Sequence, residues 1–76
     1  MSTKHLRNVP LKLYQEFLKE QGCKCNRKKG GYEHWTREDL SRPITIQTHV
    51  DPVPEFIIKN GLRQLGLSKK DFLDWI

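Results

Sequence analysis

Cys23-Lys24-Cys25-Asn26-Arg27-Lys28-Lys29-Gly30-Gly31-Tyr32-Glu33-His34-Trp35-Thr36 decides the fold. Cys23 to Asn26 alternates in the two-residue period of a short strand. The basic run Arg27-Lys28-Lys29 and the pair Gly30-Gly31 follow, and glycine permits the positive φ of a tight turn. Tyr32 to Thr36 is rich in aromatic and β-branched residues and reads as a second strand. Its alternation puts Tyr32 and His34 on one face, and Glu33 and Trp35 on the other. Trp35 is expected in the core rather than as an exposed stacking platform.

On the C-terminal side, Arg37 to Arg42 is a polar loop. Pro43 opens a third strand, Ile44-Thr45-Ile46-Gln47-Thr48-His49. Three short strands with short loops make an antiparallel meander. On the N-terminal side, Leu11, Tyr14, Phe17 and Leu18 recur at helical spacing. This predicts a helix from Pro10 to about Gln21, with Gly22 just past its end. Beyond Asp51-Pro52-Val53, a second helix starts at Pro54 and ends at Gly66. Its expected apolar face is Phe56, Ile57, Ile58, Leu62 and Leu65. Gly61 inside it costs about 1 kcal/mol against alanine, and a close crossing over the sheet would account for it. Ser68 and Asp71 approximate a capping box for a short last helix, 69–76. Phe72, Leu73 and Ile76 of that helix would cover the core. The order is α-β-β-β-α with a terminal helical turn, an α+β domain with its helices on one sheet face.

The chain of 76 residues is read as one domain, with its core at about 10–67. A domain this small buries only about 60% of the surface its unfolded chain exposes, so no large buried cofactor cavity is expected. The formal charge is +5. Residues 1–42 hold ten Lys and Arg against five Asp and Glu, and the rest hold four against four. The whole excess therefore lies in the first half, concentrated at Lys24, Arg27, Lys28 and Lys29. Such a cluster is the footprint of a polyanion partner. A solubilising loop fits the charge equally well.

Cys23 and Cys25 are too close for an unstrained bridge. No further Cys or His pair completes a zinc tetrad. Two reduced thiols, a reducing compartment and no metal are expected. No apolar run approaches the roughly 18 residues of a membrane span, and residues 1–5 lack the apolar core of a signal peptide. A soluble, cytoplasmic protein follows as the expectation. His5 reads as part of a leading tail.

Lys29-Gly30-Gly31-Tyr32-Glu33-His34-Trp35, Ile44 to His49, and Leu62-Arg63-Gln64-Leu65-Gly66-Leu67, in this order and spacing, resemble the HicA toxins of bacterial toxin–antitoxin systems. The likeness runs from about Leu11 to Leu67. It implies a double-stranded-RNA-binding-domain-like fold and a metal-independent endoribonuclease, an mRNA interferase, with no cofactor. It also implies mRNA as substrate, and a HicB-like antitoxin holding a monomeric toxin within a larger assembly. The family motif is Gly, a small residue, His, then an aromatic after two positions. Gly30, Gly31 and Trp35 match it, and Tyr32 fills the histidine slot.

That departure bears on activity. Imidazole can move a proton from a ribose 2′-OH near neutral pH, whereas a phenol, titrating at about 10, is a poor base. The resemblance therefore implies weak or absent cleavage here. His34 shares the face of Tyr32 and is a displaced catalytic candidate. His49 matches a histidine that the family carries at the end of its third strand, a supporting candidate for phosphate binding. Lys28, Lys29, Gly30, Gly31 and Arg37 are the expected RNA contacts, with Lys24 and Arg27 as further candidates. Two other readings stay open: a double-stranded-RNA-binding module without chemistry, and a protein-binding module for an acidic partner.

Overall fold

The computed structural model describes Leu6 and residues 8–76. Its elements run α1 (Leu11–Glu20), β1 (Lys24–Lys29), β2 (Tyr32–Thr36), β3 (Ile44–Gln47), α2 (Glu55–Leu65) and α3 (Lys69–Trp75). The sheet is antiparallel in the order β1-β2-β3. This is the α+β order expected from periodicity. His5 lies outside the described residues.

Both prolines sit one residue ahead of their helices, at the N-cap positions Pro10 and Pro54. Neither helix has a side-chain cap of its own. The first free donor of α1, the Leu11 N–H, is instead taken by the Asp51 carboxylate at 3.0 Å. Val53 donates back to the Val9 carbonyl at 2.9 Å and forms an isolated bridge with it. Leu6 and Val9 are therefore core residues, and the core begins before residue 10.

The helix-side sheet face is formed by Trp35, Ile44 and Ile46, all buried. Tyr14, Phe17 and Leu18 of α1 and Ile58, Leu62 and Leu65 of α2 complete the layer. Phe56 departs from the expected apolar face, because at 64% exposure its side chain points to solvent. The 3.6-residue period explains this: Ile58, Leu62 and Leu65 define the inward stripe, and Phe56 falls outside it. Gly61 is explained by contact. A Cβ there would overlap the Tyr14 hydroxyl and lie 3.5 Å from Ile44 Cγ2. That hydroxyl is buried without a hydrogen-bond partner among the described residues, and burial raises its pKa above the ordinary phenol value.

The Ser68–Asp71 capping box is present. The Asp71 N–H donates to Ser68 Oγ, and the Ser68 N–H donates to the Asp71 carboxylate at 2.8 Å. That backbone donor holds the Asp71 carboxyl below its ordinary value. The cap starts α3 so that Phe72 enters the core fully. Its ring meets Phe17 edge-on at 4.7 Å and Tyr14 at 6.4 Å. Burying one such side chain contributes about 1.5–3 kcal/mol. The core thus extends past residue 67, while Ile76 stays partly exposed. No helix among the described residues is long and apolar enough to cross a membrane.

Candidate nucleic-acid interface

The β1–β2 hairpin turns through Gly30 and Gly31 alone, at φ +55° and +88°. A two-residue turn of this kind follows the twist of its strands. The ladder therefore runs up to the turn, and Arg27, Lys28 and Lys29 are strand residues rather than turn residues. Gly31 has a second constraint. A Cβ there would lie 3.0 Å from His49 Nδ1. His49 therefore packs over the turn and meets Tyr32 edge-on, with ring centroids 6.3 Å apart. It does so from beyond β3, which ends at Gln47. Thr48 is drawn into the turn, with both its N–H and its hydroxyl donating to the Gly31 carbonyl.

A bulge fixes which basic side chains share the Tyr32 face. Cys25 pairs with Trp35 and Arg27 pairs with His34, leaving Asn26 unpaired between them. Because cross-strand partners share a face, the open face carries two full rows. One is Lys29–Tyr32–Gln47 and the other is Arg27–His34–Thr45, with Lys24–Thr36 at the far end. No carboxylate stands in these rows. Tyr32 is 41% exposed. His34 lies about 7 Å further along the strand, and its Nδ1 is 3.0 Å from Thr45 Oγ1. The Thr45 contact orients the imidazole and leaves Nε2 without a partner among the described residues.

Lys28 belongs to the other face. It pairs with Glu33 at 3.6 Å. Glu33 is only 6% exposed, and its Oε1 accepts from Gln15 Nε2 at 2.8 Å and from Trp35 Nε1 at 3.1 Å. Both lysines still border a shallow depression of about 350 Å³ around the turn, beside Tyr32 and Thr48. Arg37 lies at the end of β2 away from the turn. Its guanidinium donates to the Asp39 carboxylate twice and to the Gln21 carbonyl at 2.7 Å. That pairing raises the Arg37 pKa and lowers that of Asp39. Arg37 ties α1 to the loop after β2, and the structure does not bring it to the Tyr32 cluster.

Sequence reasoning passed over Glu33. Its parity with Trp35 was the available signal, since an inward carboxylate demands donors and the indole N–H stands on the same face. It also had no means to place the Thr45 hydroxyl beside His34. Cys23 and Cys25 are free thiols, and burial pushes the Cys23 thiol up, away from the reactive thiolate form. Among the described residues no three His, Cys, Asp or Glu side chains converge as a metal site would. Compared with protein-family models, with curated proteins and with solved structures, the chain shows no match.

Proposed function

We propose that this chain is a HicA-like RNA-binding protein that meets mRNA through the open sheet face. One observation carries the reading: Arg27, Lys29, Tyr32, His34 and His49 gather on one uncovered surface without a carboxylate among them. Cations there neutralise phosphates, and exposed rings stack on bases. Cleavage is weak or absent, because Tyr32 stands where the resembled family carries its proton-transferring imidazole. A HicB-like antitoxin covers the same face, so antitoxin and RNA compete. The free thiols fit a cytoplasmic setting.

The test is anisotropy with a labelled single-stranded transcript, run beside a cleavage assay of the chain and its Tyr32→His variant. Salt-dependent binding is expected from both proteins. Cleavage by the variant should exceed that of the chain by about 10²–10⁴-fold, the usual worth of general acid–base catalysis. Equal cleavage rates would refute the role assigned to Tyr32. Absence of RNA binding would overturn the reading as a whole.

A further inference from the structure

A groove of about 500 Å³ runs between the free edge of β3 and helix α2. Its walls differ in chemistry. On the helix side, Asn60 and Gln64 are spaced i, i+4, so their carboxamides fall on one face, with Ile57 beside them. Both residues are exposed, and neither carboxamide has a hydrogen-bond partner among the described residues. On the strand side stand Thr45, His34 and Arg42. His34 also borders a second, smaller cleft with Arg27. His34 therefore lines both clefts, sharing one with Arg42 and the other with Arg27. No carboxylate lines either cleft.

The strand contributes its backbone as well. The Thr48 N–H donates to the Gly31 carbonyl at 2.7 Å. Antiparallel ladders alternate bonded and unbonded pairs. The bonded pairs are then Glu33–Ile46 and Trp35–Ile44, and the N–H and C=O of Thr45 turn outward along the groove. A donor and an acceptor side by side, two carboxamides and an apolar wall are what a planar base edge needs. Cations at the mouth suit its phosphate.

We propose that this groove binds one nucleotide of a single-stranded RNA. Its base lies against Ile57 within reach of Asn60 and Gln64, and its phosphate faces His34 and Arg42. The inference rests on the RNA reading and adds to it a site of base selection away from the turn. Charge complementarity favours a nucleotide over an added protein strand. So does the edge itself, which is only four residues long and opens on a proline.

The experiment titrates the full chain with labelled single-stranded homopolymers of U, C and A at fixed salt. The Asn60→Ala/Gln64→Ala double variant is measured beside it. Both positions are exposed and helical, where alanine is well tolerated, and thermal unfolding checks the fold. The chain is expected to prefer one homopolymer. The double variant should lose that preference, with affinity for the preferred strand falling on the order of tenfold and the salt slope unchanged. The side-chain amide resonances of Asn60 and Gln64 should shift with the matching nucleoside monophosphate. Salt-dependent binding with equal affinities for all three strands, or a preference untouched by the double variant, overturns the groove and leaves the RNA reading standing. Amide shifts with an acidic strand-forming peptide and none with nucleotide assign the groove to a protein and overturn the proposal. No binding to any homopolymer removes the RNA reading and the groove with it.

Discussion

Lys28 and Lys29 are neighbours in the chain and lie on opposite faces of the sheet. Lys28 leans on Glu33, a buried carboxylate held by Gln15 and the Trp35 indole. Lys29 stands in the row of Tyr32 and has no ion pair among the described residues. One face is a hydrogen-bonded layer against the helices, and the other is an uncovered strip of cations and rings. Substitutions on the first should register as stability, and substitutions on the second as affinity for a polyanion.

The sharpest way to break this contrast is Glu33→Ala. It leaves the Trp35 N–H and the Gln15 amide without their acceptor in a buried place. A loss of about 1–3 kcal/mol is expected in urea unfolding, with RNA affinity of the folded protein changed little. An unchanged midpoint would mean that water replaces the carboxylate freely and that the helix-side face is looser than described.

Next in size is Gly61→Ala, which forces a methyl into the space of the Tyr14 hydroxyl. Overpacking should cost about 1–3 kcal/mol, partly offset by alanine's better helix propensity. In a Tyr14→Phe background the hydroxyl is gone, and the same substitution should become neutral or stabilising by up to about 1 kcal/mol. Tyr14→Phe alone should not destabilise, since the hydroxyl it removes has no partner. The double-mutant cycle tests the contact directly. Additive effects would show that Gly61 answers to something else.

The smallest effect separates the two lysines. Lys29→Gln should weaken RNA binding and reduce the salt slope by roughly 0.7, the single-strand value for one phosphate contact. Lys28→Gln should do less on both counts, because its ammonium already faces Glu33. Equal losses from the two changes would erase the distinction between the faces at this end of the sheet.

Much of the architecture was legible because period and punctuation agreed. The stripe Tyr14, Phe17 and Leu18, the Gly30-Gly31 pair and the Ser68–Asp71 box each act over a few residues, where local rules hold. Tyr32 and His34 on one face followed from alternation alone. What escaped depends on contacts far apart in sequence. Asp51 caps a helix forty residues earlier, and Val9 bridges to Val53. Arg37, counted among the candidate RNA contacts, is engaged by Asp39 and the Gln21 carbonyl. Phe56 shows the limit of composition, since an apolar residue in an amphipathic helix need not lie on its apolar stripe. The role proposed for Tyr32 rests on family resemblance, and the cleavage assay with Tyr32→His tests it.

The unpaired Asn26 has a consequence of a different order. A strand is a parity code, in which odd and even positions address opposite surfaces. The bulge shifts that code by one place immediately before the basic run. Losing Asn26 would restore plain alternation from Cys25 and leave Arg27, Lys28 and Lys29 on the surfaces they now address, because their partners are counted back from the turn. The bulge is thus a place where the hairpin can change length without moving charge between the packed and the open surface. Parity counted forward from Cys25 would put all three basic residues on the wrong surface. The informative count runs back from the glycine pair.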